Sequence, residues 1–462
     1  MRRTATIAWQ LWEANDLRGV WVTRFDQIEY ASLTDVGVRR SHNQDCHAVK
    51  LAADEEQWNE RGHLLLVADG MGAHAVGEKA SEQAVNVIPH SYVKHATSGP
   101  ISALRTAITE ANESIHACGQ ANREFEGMGT TGSALVLRPE GAWVGHVGDS
   151  RVYRIRSGWI EQLSYDHSLV WEFARIKGID PEKVKDIPSN VIHRCLGPEP
   201  SVQVDIEGPY PLCSGDVFLL CSDGLSGQVA DTEIGAVAST LPPEEACRFL
   251  IDLANLRGGP DNTTVIIARI LGGPESDGMI STTVTMPSRE GPPRPLFFVP
   301  WWVASLMAGI FLAGGAAFLQ MSHQAELGLA AFLCASAAII AGLVGLAIQS
   351  RRERAKEVPV EDEEPPVKPR IHRRSPCKVE APILEKLHKA LKTLRQKAEE
   401  KQWAPDWDEV DRHSAEAEEL TKSGEVVGAF RALCRAMLPL TAALARHRNK
   451  GEDFNPRWDK PS

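Results

Sequence analysis

Four aspartates stand at the mouths of short apolar runs. Residues 64–68 (LLLVA) lead into Asp69 and Gly70, residues 143–147 (WVGHV) into Gly148 and Asp149, and residues 217–221 (VFLLC) into Ser222, Asp223 and Gly224. Asp261 and Asn262 open the run 263–267 (TTVII). A carboxylate just outside a buried strand is held rigidly yet still meets water. Several converging on one point make a poor core but a good seat for hard divalent cations, which prefer oxygen ligands. A single Asp-Gly beside a strand is ordinary turn chemistry; four of these corners in one domain are more than turns require. Arg40 adds to them from the segment 34–45 (TDVGVRRSHNQD), just before an Asn-Gln-Asp cluster. Taken alone, an arginine near carboxylates is equally an ion pair. Its planar fork also matches the oxygens of a phosphate, the group that carboxylate-held cations would neutralise.

The elements that must position these residues lie between about 28 and 270. Strand-like runs occur at 63–68, 133–138, 142–147, 152–156, 216–221 and 263–270, separated by Gly, Pro and Asp turns. The tight turn between 142–147 and 152–156 predicts that these two pair as antiparallel neighbours. Helical spacing covers 77–92 and 101–120, inserted together, and later 243–256, with proline in its first turn. Strands in runs with helices in blocks predict an α+β layered domain rather than a doubly wound sheet.

The chain has 462 residues, more than one compact core needs. Its net charge of -11, with no basic block interleaved with aromatics in the first 270 or so residues, argues against nucleic acid as a partner. Nine cysteines occur singly, without a CxxC pair, which fits a reducing compartment with neither a disulfide frame nor a zinc site. Residues 1–27 form a leader, with helical character around 11–21. Arg2 and Arg3 begin it, but Gln10 and Glu13 interrupt its apolar stretch, so it does not read as an export signal.

Residues 273–295 are rich in Gly, Ser, Thr and Pro and read as a linker. Two apolar stretches follow, 296–319 and 327–348, each reaching the roughly 20 residues that cross a bilayer. The loop between them, 320–326, carries no Lys or Arg, whereas Arg294 precedes the pair and Arg351, Arg352, Arg354 and Lys356 follow it. That asymmetry predicts a two-pass hairpin in the inner (cytoplasmic) membrane with both large flanks in the cytoplasm. Trp301 and Trp302 stand near the inner end of the first span. Residues 349–382 read as a charged, Pro-rich spacer. Residues 383–450 show helical spacing, with Leu384, Leu387, Leu391 and Leu394 first and an Ala-rich stretch around 429–445 later, and Gly424 between the two patterns. The readings for this small all-α region are a helical bundle, a partner-binding helix pair or one copy of a repeat module.

In its first 270 residues the chain resembles the PPM-type (type 2C) metal-dependent protein serine/threonine phosphatases in their bacterial form. The likeness rests on blocks in the family's order: TDVGVRRSHNQD, VADGMGAHAVGEKAS at 67–81, GMGTT at 127–131, VGHVGDSRVYRI at 144–155, YDHSLV at 165–170, CSDGLS at 221–226 and GGPDNTTV at 258–265. It implies a four-layer α-β-β-α sandwich of two antiparallel sheets over 28–272, with a two-metal centre at one end. By motif, Asp69 bridges two Mn²⁺ or Mg²⁺ ions and the Gly70 carbonyl binds one, with Asp223 and Asp261 completing the other. Asp45 stands in or just behind the ligand set, Asp149 with Asp223 matches a third, weaker metal, and Arg40 clamps the phosphate. Two cations sharing Asp69 would lower the pKa of a bridging water and give a hydroxide that attacks phosphorus in line. The cations and Arg40 would offset charge on the equatorial oxygens. The implied partners are phosphorylated proteins and an opposing Ser/Thr kinase.

Three departures qualify the likeness. Gln44 stands where many relatives carry an acid. Met71 stands where animal members carry a histidine proposed as general acid, and Ala73 replaces a loop glycine. His74 and His167 lie near the site by motif and read more simply as structural, as does Cys46. Residues 168–190 correspond to the flap beside the site, a source of substrate selectivity. The rival reading is a scaffold that binds phosphoproteins or metal without turnover, against which the complete set Arg40, Asp69, Asp149, Asp223 and Asp261 speaks.

Overall fold

The computed structural model describes residues 26–72, 76–184, 187–188, 191–271 and 368–447, together with Ala313, Leu333, Ala335 and Ser336. Contacts divide the chain into one compact unit made of Met1–Glu275 with Val367–Ser462 and a second, Ser276–Pro366. In the second unit the four described residues are helical. The expected leader helix and the spans 296–319 and 327–348 otherwise lie outside the described residues.

In the first unit the chain runs through β1 (Ile28–Asp35), β2 (Asp45–Lys50), α1 (Glu55–Glu60), β3 (His63–Met71), α2 (Val76–His95) and α3 (Pro100–Ala121). It continues through β4 (Gly129–Thr130), β5 (Gly132–Arg138), β6 (Gly141–Val147), β7 (Arg151–Arg156), β8 (Trp159–Gln162) and α4 (Leu169–Lys177). Then come β9 (Asp205–Tyr210), β10 (Val217–Cys221), α5 (Asp223–Ser226), α6 (Asp231–Thr240), α7 (Pro243–Leu256) and β11 (Thr263–Ile270). After the second unit follow β12 (Arg373–Pro376), α8 (Ala381–Glu400), α9 (Trp407–Ser423) and α10 (Val426–His447).

Two antiparallel sheets form, one ordered β1-β11-β10-β7-β8-β12 and the other β2-β3-β5-β6-β9, with β4 paired to β3. Three cores account for the layers. Leu65, Val67, Phe218, Leu220 and Ile266 fill the space between the sheets. Leu64, Leu66 and Ala68 meet Ala84, Ile88, Leu104 and Ile108 of α2 and α3 on one outer face. Tyr153, Leu219, Val265 and Ile267 meet Phe249, Leu250 and Leu253 of α7 on the other. A sheet covered on both faces needs apolar side chains at successive positions, not alternate ones. That is why β3 and β10 read as unbroken apolar runs.

One pairing differs from the sequence expectation. β6 and β7 are not partners: β6 lies between β5 and β9, and β7 between β8 and β10. The three residues between them carry the chain from one sheet to the other. Gly148 makes this corner possible, since its φ is +116° and a Cβ there would lie 2.5 Å from Thr131 Cγ2. The corner leaves Asp149 at the end of the sandwich.

The C-terminal region is no separate bundle. α8, α9 and α10 bury Leu394, Val410, Phe430, Leu433 and Met437 in the same continuous core that contains Phe249 and Leu250 of α7. Arg435 Nε and Nη2 bond Glu245 at 2.8 and 3.0 Å, and Thr441 Oγ1 donates to Asp252 Oδ2 at 2.7 Å. By length and composition α10 could cross a membrane, with a mean hydropathy of 1.4 over its most apolar window, 56% of which is buried. Its apolar side chains are spent on this core. The stretch 349–382, expected to be spacer throughout, also contains β12, which pairs with β8 in the register Arg373 to Gln162 through Pro376 to Trp159.

Candidate metal centre

The aspartates reach one end of the sandwich from separate strand ends. Asp45 and Asp69 face each other across the β2–β3 ladder. Asp223 begins α5 directly after β10, Asp261 precedes β11, and Asp149 sits at the inter-sheet corner. Backbone bonds lock this end. Asp69 N–H donates to Thr131 Oγ1 at 2.8 Å, and the Asp69 carbonyl accepts from Thr130 Oγ1 and Thr131 N at 2.9 Å. Gly70 N–H donates to the Gln44 carbonyl at 3.0 Å. No side chain fits at Gly70, where a Cβ would lie 2.1 Å from the Gly77 carbonyl oxygen and 2.6 Å from that of Gln44. Asn262 closes the floor: its Oδ1 accepts from Gln44 N at 2.8 Å, and its Nδ2 donates to the carbonyls of Val36 and His42 at 2.9 Å.

The electrostatics are those of crowded, buried anions. Burial, offset in part by hydrogen bonds and reinforced by the charges of Asp223 and Asp261, raises the Asp45 pKa to about 7. Burial and then Asp261 raise that of Asp223 to about 6. Asp69 is held well above the usual carboxylate range by burial, then by Asp45, Asp223, Asp149 and Asp261 in turn. Asp149 is likewise held well above it by burial, then Asp223 and Asp166. Asp69 feels all four of the others, which places the five carboxylates in one electrostatic neighbourhood.

Little on the protein compensates them. Ser222 Oγ donates to Asp45 Oδ2 at 2.7 Å, but the buried Asp45 Oδ1 has no hydrogen-bond partner. Arg40 Nη2 reaches Asp261 Oδ2 at 2.7 Å, the two side chains being 47% and 34% exposed. An orphaned carboxylate oxygen among crowded like charges fits a seat for a cation. The oxygen-only donor set suits Mg²⁺ or Mn²⁺ better than zinc. Among the described residues no three His, Cys, Asp or Glu side chains close into a ready-made cage. The carboxylates share a neighbourhood but do not wrap one point.

Sequence reasoning treated His167 as structural, and its contacts agree. Its ring bonds Gly148 N at 3.0 Å and Asp205 Oδ2 at 3.0 Å, bracing the corner that carries Asp149. His74 lies outside the described residues. Burial pushes the Cys221 thiol far above its ordinary pKa, as expected of an inert core thiol. Two supporting residues were missed. Arg151 bonds Asp166 Oδ2 through Nε at 2.8 Å directly behind Asp149. Both lie inside motifs that sequence reading had picked out, so the motif blocks were the available signal.

Residues 38–247 match the family model described as protein phosphatase 2C. The serine/threonine phosphatase stp of Listeria monocytogenes is 35% identical over 242 residues, 51% of this chain and 92% of that protein. The chain belongs to the protein phosphatase 2C family. The protein phosphatase PhpP of Streptococcus pneumoniae agrees, at 35% identity over 248 residues, 52% of this chain and 96% of that one. A solved catalytic domain of the serine/threonine phosphatase PstP, in complex with two manganese ions, is 31% identical and covers 53% of this chain and 99% of its own, with a TM-score of 0.45. Membership of that family makes the matched region, 38–247, part of a protein serine/threonine phosphatase. The family model ends at residue 247, within α7, so the second unit and β12 to α10 lie outside the residues it matches.

Proposed function

We propose that the chain is a metal-dependent protein serine/threonine phosphatase, anchored by 296–319 and 327–348 at the cytoplasmic face of the inner membrane and opposing a Ser/Thr kinase. The observation that carries the chemistry is the convergence of Asp45, Asp69, Asp149, Asp223 and Asp261 with an orphaned Asp45 oxygen. In this reading Asp69 would serve both of two cation positions, the Gly70 carbonyl one of them, and Asp223 and Asp261 would complete the other. Asp45 lies in or behind the set, and Asp149 with Asp223 serves an outer position. Mn²⁺ or Mg²⁺ held there supplies the Lewis acidity that makes water a nucleophile at neutral pH. Arg40, exposed at the rim, presents its fork to the phosphoryl oxygens and orients the phosphate. The Thr130, Thr131 and Asn262 bonds hold the backbone of Asp69, Gly70 and Asp261 in place, so that reorganisation during turnover is small.

The membrane reading gains support from connectivity. Residues from 26–271 and 368–447 share one hydrophobic core, which fits a reading in which both flanks of the intervening apolar pair lie on one side of a bilayer. The test is Mn²⁺-dependent hydrolysis of a phosphothreonine peptide and of p-nitrophenyl phosphate by the purified full chain. Turnover well above that of Asp69→Asn supports the reading; folded protein with excess Mn²⁺ and no such difference sinks it.

A further inference from the structure

A cavity of about 360 Å³ lies beside the aspartate cluster. Asp149 and Asp223 line one part of it, Trp171 and Glu182 of the flap another, and Arg373 a third. Arg373 comes from β12, a segment that follows the second unit and lies outside residues 38–247, which match the family model.

The ladder decides why this residue is there. β12 pairs β8 with Arg373 opposite Gln162, and flanking bonds from His372 N to the Gln162 carbonyl and from Cys377 N to the Gly158 carbonyl, both 2.9 Å, pin the register. Strand side chains alternate, so Arg374 faces the other way, over the Trp159 ring at 4.3 Å. The Arg373 side chain is 11% exposed and divides its fork between two elements. Nη1 bonds Glu182 Oε1 at 2.9 Å, in the one-turn helix Pro181–Lys183 of the flap. Nη2 bonds Asp231 Oδ2 at the start of α6. Asp231 Oδ1 in turn accepts from Tyr153 OH at 3.0 Å, and Arg151 approaches it at 3.7 Å while holding Asp166. A chain of ion pairs therefore runs from the flap through Arg373 to the residues behind Asp149. The flap segment held this way exposes Phe173, Ile176 and Ile179, apolar side chains suited to a protein surface.

We infer that Arg373 is a positioning residue of the C-terminal region that holds the flap over the cavity, where the chain flanking the phosphorylated residue of a protein substrate would sit. This rests on the phosphatase reading above. It makes the region beyond the apolar pair part of substrate selection, not a separate module. A small aryl phosphate has no flanking chain and does not need the flap.

The test compares full-length wild type with Arg373→Ala, Arg373→Lys, Glu182→Gln and the Arg373→Ala, Glu182→Gln double variant. KM and kcat are measured with Mn²⁺ for a phosphothreonine peptide and for p-nitrophenyl phosphate. Because Glu182 is 59% exposed, the effect expected of its ion pair is modest. Arg373→Ala should raise the peptide KM about three- to tenfold and leave aryl phosphate kinetics within about twofold. Arg373→Lys should recover only part, having one charge but no fork. The double variant should be no worse than Arg373→Ala. Trypsin should cut faster after Lys177 and Lys183 in Arg373→Ala, with other sites unchanged. Equal losses on both substrates, additive effects of the two substitutions, or unchanged flap cleavage would each overturn the inference. If wild type hydrolyses neither substrate, the phosphatase reading fails, and the cleavage comparison still decides whether Arg373 holds the flap.

Discussion

Asp45 and Asp69 are opposed residues in the β2–β3 ladder, one buried and one half-buried acid on adjacent strands, and Asp45 Oδ1 has no partner on the protein. Opposed like charges destabilise a strand pair. The sheet retains them at its end, where a bound cation would turn repulsion into attraction.

Asp69→Asn and Asp223→Asn should each lower kcat by at least about a thousandfold with little change in fold, since each removes a charge from the proposed cation seat. Steady-state hydrolysis of a phosphothreonine peptide, with circular dichroism as the control, checks this. Retained turnover in either variant would remove that residue from the seat.

Arg40→Ala should act mainly on KM, by roughly tenfold, because the guanidinium is exposed at the rim and its bond to Asp261 is available for exchange with phosphate. A loss confined to kcat would contradict a phosphate-orienting role.

Asp149→Ala should leave two cations bound per chain while impairing turnover, because Asp149 comes from the inter-sheet corner rather than from the β2–β3 pair. Metal content after gel filtration, measured beside activity, separates the two effects. Full activity would end the proposal of an outer cation position.

Without cations the protein should lose stability as the pH rises from about 4 to about 7. Asp45 and Asp223 have folded pKa values of about 7 and about 6, above the unfolded value of 3.8. Across that interval the folded state binds more protons than the unfolded one, so unfolding becomes easier as they leave. A cation at a hundredfold excess over Kd adds about 2.7 kcal/mol, roughly 4 °C for a cooperative unit of about 320 residues. Mn²⁺ should therefore raise Tm at pH 7.5 by that amount and far less at pH 5. A Tm in EDTA that rises between pH 5 and 7.5 would contradict the raised values.

Leu433→Ala, at a fully buried position in α10, should cost about 2–5 kcal/mol and lower a single unfolding transition. The core is shared between α7 and α10, so the phosphatase domain and the C-terminal helices should melt together. Two separate calorimetric transitions, with only one shifted, would show that the helices fold alone.

Residue types and local order marked six of the strands, the long helices and the four aspartates at strand mouths, whereas Asp45 entered with the family likeness. Apolar runs, turn residues and motif blocks are local signals, and a sheet buried on both faces writes its strands as continuous apolar sequence. The sequence also disclosed Arg40 and the two apolar stretches. It misled at 148–150, where a short turn reads as a hairpin; only the sandwich decides that this corner joins different sheets, because the sterics of Gly148 against Thr131 arise from strands brought together in space. Arg373 and α10 were beyond local reading for the same reason. An arginine in a charged, Pro-rich stretch has no distinguishing neighbour in sequence, and it acquires Glu182 and Asp231 only when β12 takes its register on β8. An apolar helix shows its length and hydropathy but not what it will bury against; the exposed face of α7 decided that for α10.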